Sequence, residues 1–382
     1  MRIEQIETFH LRCHDPNMSL FDGSYDDCVI RITTDSGLIG IGEVESYSPA
    51  IQALIHGPDS HLHARGLAKV LLGRDPCDPD LWQNLYQACD YIGRRGLAMH
   101  AIGGLDIALW DLRGQAAGCP VHELLGPAKR DRLKAYGTIY PMARTVEGVQ
   151  QQVVQAIDQY HLTTVKFAAD PWWIDDIEHT TRLLLAARSI LGPQRGLIVD
   201  AALSYQTVEE GLALFPAYRE VGLLFLEAPL PLDDLAGHRI MANHGIPLGV
   251  GDLGLTHVDE FIEAMDRGGA TICQPDMSMV GGFTGIQKIA AAASVRGKRV
   301  ITHAYKSNIL IAANLHFLVT QESEELLEYS TSRSPLRWQL TNEELPVAED
   351  GTVLVPRAPG LGVTLNEATL RQYIHLAQLS HI

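Results

Sequence analysis

No stretch of this sequence approaches the ~18 uncharged apolar residues of a membrane-spanning helix, although 46% of its residues are apolar. A helical membrane protein is thereby excluded, while the apolar content is ample for a buried core. Cysteine is sparse and scattered: Cys13, Cys28, Cys77, Cys89, Cys119 and Cys273 form no C-x-x-C pair and no framework spacing. Reduced, mostly buried thiols in a cytoplasmic protein are expected. The N-terminal MRIEQIETFH carries charges where a signal peptide needs an apolar segment, which agrees with that location. Positive charge is also short. Lys and Arg number 30 against 46 Asp and Glu, a formal net charge of −16, so neither nucleic acid nor an anionic membrane is an expected partner. An anionic small molecule would have to be held by a local cationic site. Low-complexity tracts and simple repeats are absent.

What the sequence does contain is a series of ionisable residues, each closing a short apolar run. Lys166 lies near the end of TTVKF, Asp200 ends LIVD, Glu227 ends LLFLE, Asp252 ends IPLGVGD, Asp276 ends ATICQPD, His303 ends RVITH, and Glu328 lies in ELLEY. The intervals match one strand-plus-helix unit. Helical patterns fill them, among them DDIEHTTRLLLAARSIL, HVDEFIEAMDR and FTGIQKIAAAASVRG. Alternating strands and helices call for a parallel sheet, and charged residues at successive strand ends are what a (β/α)8 barrel shows when its C-terminal rim carries chemistry. Carboxylates, a His and a Lys on one rim point to a metal-assisted enzyme acting on an acidic small molecule. At 382 residues the chain is long enough for a barrel plus a second domain.

Three stretches are expected: residues 1–130, 131–330 and 331–382. The first opens with two alternating segments turning at Asp35-Ser36-Gly37, which predicts an antiparallel sheet, followed by helices over PDLWQNLYQACDYI and LAMHAIGGLDIALWDLRGQAAG. Gly118 stops the second of these. The last stretch is rich in Pro and Gly and ends in a predicted amphipathic helix, EATLRQYIHLAQL.

The order of these pieces resembles the enolase superfamily, and within it the mandelate racemase-like acid-sugar enzymes. GGLDIALWDLRGQAAGCPVHELLG, LEAPL, CQPDMSMVGGFTGIQKIA, ITHAYKSNI and SPLRWQL…PGLGVTLNE carry the likeness over nearly the whole chain. It implies an α/β fold, a modified (β/α)7β barrel of TIM type under an α+β capping domain built from both termini. It also implies Mg²⁺, proton abstraction beside a substrate carboxylate, and a homo-oligomer. Asp200, Glu227 and Asp252 match the metal ligands of the third, fourth and fifth barrel strands, and carboxylate-only ligation suits a hard cation. The family pattern usually has Gly-Glu on the fifth strand, where this chain has Gly251-Asp252.

His303 and Asp276 match a catalytic dyad on one face of the substrate; an Asp beside a His fixes its tautomer and raises its basicity. Glu328 matches a residue that, when protonated, hydrogen-bonds a substrate carboxylate oxygen. Many members carry Lys-x-Lys on the second strand, whereas this chain reads Thr164, Lys166, Ala168. Lys166 is then either a neutraliser of the substrate carboxylate or, with the strand shifted by two, a base. Racemisation or epimerisation needs a base on each face; dehydration can proceed with one. The expectation is therefore β-elimination of water from an aldonic or aldaric acid to a 2-keto-3-deoxy acid. Epimerisation, racemisation or lactone-forming cycloisomerisation is the alternative, and a non-enzymatic sugar-acid-binding protein the remote one.

Two cap loops, near Leu11–Tyr25 and Glu45–Pro58, are the expected source of specificity. Tyr25 and Lys306 are candidate substrate contacts, and His14 and Tyr47 are further available hydrogen-bonders. Trp172 and Trp173 would wall the pocket or anchor a loop, and Arg94-Arg95 would form salt bridges between domains or subunits.

Overall fold

A computed structural model describes residues 1–13 and 22–382. His14 and part of the first cap loop lie outside the described residues. The N-terminal alternating segments form β1 (Ile3–Arg12), β2 (Asp26–Thr34) and β3 (Ile39–Val44), an antiparallel sheet turning where Asp35-Ser36-Gly37 predicts. Gly37 takes the left-handed φ of 81° that this turn requires. Eight further strands follow: β4 (Arg132–Ile139), β5 (Thr164–Ala168), β6 (Gly196–Asp200), β7 (Leu226–Glu227), β8 (Leu248–Val250), β9 (Ile272–Cys273), β10 (Arg299–Val300) and β11 (Leu327–Ser330). They pair in parallel in the order β10-β9-β8-β7-β6-β5-β4-β11. The two ends of that path meet, because Ala304 N–H donates to Glu328 Oε2 at 3.0 Å and Arg299 pairs with Glu325 at 2.6 Å. Each strand but the last is followed by a helix packed outside, which gives the (β/α)7β barrel. Tyr136, Ile198, Phe225, Ile272 and Ile301, from five different strands or their ends, pack together in its interior.

β12 (Thr352–Leu354) adds antiparallel to β4, and β13 (Ile374–His381) adds antiparallel to β1. Here one expectation fails. The helix predicted over EATLRQYIHLAQL spans only Glu367–Tyr373, and the remainder is the edge strand of the capping sheet. The reason is non-local: β1 offers its outer edge, and backbone pairing there outweighs the helical pattern of a short terminal segment.

The cap is seated by small residues. The helix Leu97–Ala117 ends at Gly118 with a left-handed φ of 70°, as the sequence predicts. Along its length it lies backbone against backbone on two partners. A Cβ on Gly42 of β3 would stand 2.1 Å from Gly104 O, and one on Gly103 would stand 2.1 Å from Ser278 O in the barrel. Glycine is required at both, since any side chain would force the layers apart. Asp106 on the same helix accepts from Thr284 N and Oγ1, both at 2.9 Å, and Trp82 donates to Gly281 O at 2.8 Å. Arg95 adds ion pairs to Asp259 and Glu260, as an interdomain arginine was expected to. The cap is thus fixed over the sixth-strand loop, where Asp276 lies. No helix of the described chain is long and apolar enough to cross a membrane, and all six cysteines are free.

Candidate active site

Asp200 and Glu227 end β6 and β7, and Asp252 follows β8 by two residues. Gly251 permits that step: its φ of 126° is open to glycine, and a Cβ there would meet Phe261 at 2.3 Å. Oxygens of the three acids lie within 4.8 Å of one another. Glu227 Oε2 and Asp252 Oδ1 are buried with no hydrogen-bond donor. Burial raises all three carboxyls, Asp252 to about 7, with Asp200 adding to that rise. Buried acids with orphaned oxygens at one point suit a divalent cation held by oxygen, and the missing donors are what such an ion would replace. Non-glycine residues with positive φ, Ala202, Leu203 and Ala228, follow two of these strand ends. Strain of that kind collects at functional sites.

Lys166 points into the same space. Its Nζ lies 2.8 Å from Glu227 Oε1, 2.8 Å from Glu328 Oε1 and 3.8 Å from Asp200 Oδ2. Burial works against its charge, but Glu227 and Glu328 outweigh that and hold its pKa well above the ordinary lysine value. The side chain is a fixed ammonium. Strand register supplies the rest of the second-strand answer. Ala168 pairs with Asp200, and Asp200 with Glu227, so Ala168 stands level with the clustered acids. Side chains two apart share a face, and at the level of the rim this face presents a methyl group.

Across the barrel, His303 Nδ1 lies 2.9 Å from Asp276 Oδ2. The other Asp276 oxygen accepts from Ser278 N at 2.7 Å and from Ser278 Oγ at 2.5 Å, so the carboxylate is an acceptor on both sides. Nδ1 therefore carries hydrogen, and Nε2 turns toward the acids, 3.8 Å from Glu328 Oε2. Burial opposes charging of this ring. Glu328, Glu45 and Asp276 nonetheless push its pKa well above the usual histidine value.

Glu328 accepts from Thr138 Oγ1 at 2.6 Å as well as from Lys166 and Ala304. Burial raises its pKa, yet Lys166 and His303 bring it down to about 2. Glu328 is thus held here as an ionised acceptor, whereas the family likeness implies a protonated donor to the substrate. The reason is its two cationic neighbours, which sequence order does not reveal.

Other candidates fall elsewhere. Lys306 gives its donors to the Gly23 and Asp26 carbonyls at 2.5 and 2.6 Å, clasping the cap to the barrel. Tyr25 lines a cavity of about 550 Å³ together with Thr138, Tyr140, Tyr305, Thr331 and the exposed Arg333. Thr138 connects that cavity to Glu328. Tyr47 is exposed, Trp173 is core, and Trp172 packs under Arg144 at 5.0 Å, so the Trp pair anchors a loop. The sequence reading missed the cavity residues Thr138, Tyr305, Thr331 and Arg333, and it missed Glu45 as a member of the site. Glu45 reaches His303 from the cap, with Oε2 3.7 Å from Nδ1. Its signal was the spacing in GEVE, where Glu43 and Glu45 stand two apart.

Comparison with known proteins agrees with this geometry. Residues 23–126 match the mandelate racemase / muconate lactonizing enzyme N-terminal domain, and residues 148–369 match the enolase C-terminal domain-like model. A D-galactarolactone cycloisomerase of Agrobacterium fabrum is 28% identical over 359 residues, covering 90% of each chain. A D-galactonate dehydratase of Verminephrobacter eiseniae is 31% identical over 355 residues, covering 89% of this chain and 88% of that one. The crystal structure of an enolase superfamily member from Polaromonas sp. JS666 superimposes with a TM-score of 0.87 at 28% identity over the full length of both chains. With its barrel rim, its seated cap and both domain models matched in order, the chain belongs to the mandelate racemase / muconate lactonizing enzyme family of the enolase superfamily.

Proposed function

We propose that this enzyme is a Mg²⁺-dependent dehydratase of a hydroxy sugar acid, an aldonic or aldaric acid, in the cytoplasm. The observation that carries the reading is the one-sided base. His303 faces the reaction space from one side, while the matching level of β5 holds Ala168 and a locked Lys166 ammonium. Asp200, Glu227 and Asp252 would hold the ion, which when bound supplies positive charge against the second negative charge that develops on the substrate carboxylate. Lys166 neutralises that carboxylate further. Oriented by Asp276, His303 in its neutral form takes the α-proton on Nε2. The C–H electrons form the new C=C bond as the β C–O bond breaks. The imidazolium returns its proton to the departing hydroxide, so water leaves from the same face. The enol then tautomerises to a 2-keto-3-deoxy acid. Hydroxyl groups of Tyr25, Tyr305 and Thr331 and the Arg333 guanidinium line a cavity suited to the polar remainder of such a substrate.

A cycloisomerase is the second reading, favoured by the Agrobacterium relative. It begins with the same proton abstraction by His303 but ends in an isomer. One experiment separates the two. Incubation of a library of aldonic and aldaric acids and their lactones with enzyme and Mg²⁺ in D₂O, followed by NMR, should show loss of water and a 2-keto-3-deoxy product. Deuterium at the α-carbon with no water lost, or a product of unchanged formula, would sink the dehydratase. A homo-oligomer belongs to the same reading. The edge strand β13 exposes Leu376, Leu379 and neighbouring Ile382, and sedimentation equilibrium should return more than one chain's mass.

A further inference from the structure

We propose that Glu45, a residue of the capping domain, is a positioning residue for His303: its carboxylate stands beside Nδ1 as a second anion and stabilises the imidazolium that forms when the α-proton is taken. The proposal rests on His303 being the base of the dehydratase reading. Asp276 already holds Nδ1 at 2.9 Å, and Glu45 Oε2 lies 3.7 Å from the same nitrogen. That oxygen is buried and has no hydrogen-bond donor among the described residues. A buried carboxylate without a donor works against folding, so its one close cationic neighbour is the natural explanation for its position.

The position is also enforced. Glu45 N–H donates to Ser278 Oγ at 3.0 Å, and the same hydroxyl donates to Asp276 Oδ1 at 2.5 Å, so one hydroxyl ties the Glu45 backbone to the Asp276 carboxylate. The next residue, Ser46, pairs through Oγ with His100 Nδ1 at 2.8 Å on the helix that Gly103 seats against Ser278. Cap sheet, cap helix and barrel loop together fix where Glu45 ends.

Charged groups around the pair leave the assignment intact. Glu45 faces His303, Lys306, Asp276 and Glu328, with burial the dominant influence raising its pKa to about 7. Lys306 gives its hydrogens to two cap carbonyls instead. His303 faces Glu328, Glu45 and Asp276, and at longer range Asp200 and Asp252. His100 is held neutral, its pKa lowered by burial to about 4. On this arrangement the barrel's base reaches full strength only with the cap in place.

The test is a nitrogen-detected titration of the imidazoles in the full Mg²⁺-loaded chain. The resonance of His303, one of 16 histidines, is assigned by its absence in His303→Asn. Glu45→Gln, nearly isosteric, should lower the His303 pKa by about one unit, and Glu45→Asp should lower it less. The Gln variant should stay folded and melt close to the wild type, because the amide keeps the side-chain volume and replaces a buried carboxylate oxygen that has no hydrogen-bond donor. On a sugar acid that the enzyme turns over, kcat should fall about tenfold with KM little changed, and the acid limb of kcat/KM should move to lower pH. An unchanged His303 pKa overturns the proposal, and so does a Gln variant that fails to fold, which would make Glu45 structural. If no sugar acid is turned over, the dehydratase reading fails, while the imidazole titration still decides the role of Glu45.

Discussion

On the proposed mechanism His303 is the residue on which the chemistry turns, and its environment makes the consequence of removing it specific. Asp276 binds Nδ1, whereas the clustered acids are held by other strands, so the ring can be lost without disturbing the ion's donors. His303→Asn should therefore lower kcat by about 10³-fold or more while isothermal titration shows Mg²⁺ and substrate binding nearly unchanged. Joint loss of binding and turnover would instead mark a structural residue. Lys166 illustrates what single residues can and cannot reveal. Its presence at a strand end is legible from TTVKF, but whether it is a base or a fixed cation depends on Glu227 and Glu328, 61 and 162 positions away. Glu328 shows the same limit in reverse. Its place in the site followed from its strand, but its low pKa comes from neighbours that only barrel closure brings near. Glu45 was harder still, because its reach depends on backbone contacts at Gly42, Gly103 and Gly104.

At the scale of elements, seven of the eight barrel strands, β5 to β11, were legible because each buried run carries an ionisable residue at or near its end, with helical periods between them. The last strand was not, since β13 takes its conformation from pairing with β1 rather than from its own pattern. Another non-local junction carries a pH signature. The helix Asn308–Leu318 presents His316, whose Nδ1 lies 3.0 Å from His122 Nδ1 and whose Nε2 meets Leu361 O at 3.0 Å. A carbonyl only accepts, so Nε2 of His316 donates, its Nδ1 accepts from His122, and the His316 ring is neutral. Burial lowers His316 to about 3, well below the ordinary value near 6.5, and lowers His122 as well. Above pH ~6.5 both folded and unfolded forms are neutral at this position, and stability is complete. Below it the unfolded chain takes up a proton that the folded chain refuses, so stability is lost on acidification. Between pH 7 and 5 the unfolding free energy should fall by about 2 kcal/mol more in the wild type than in His316→Gln. Urea melts at the two pH values measure this; parallel slopes for the two proteins would disprove it.

The whole molecule sets the terms on which its ligands arrive. Its net charge of −16 attracts Mg²⁺ and repels a sugar-acid anion. Locally, six carboxyl groups (Asp200, Glu227, Asp252, Asp276, Glu328 and Glu45) face Lys166, His303 and the place where the proposed divalent ion would sit, so carboxyl groups outnumber cations around the site. Productive binding therefore depends on short-range partners, with the long-range field opposing approach. Screening should act in opposite senses on the two ligands. Raising KCl from about 10 to about 150 mM shortens the Debye length from ~30 to ~8 Å, so Mg²⁺ should bind more weakly. At saturating Mg²⁺ the KM for the anionic substrate should fall by about two- to threefold, with kcat unchanged. Steady-state kinetics across that salt range, with Mg²⁺ affinity measured in parallel, read both effects. A KM that rises with salt would mean that cations at the mouth, Arg333 foremost, steer the substrate in against the field of the rest of the protein.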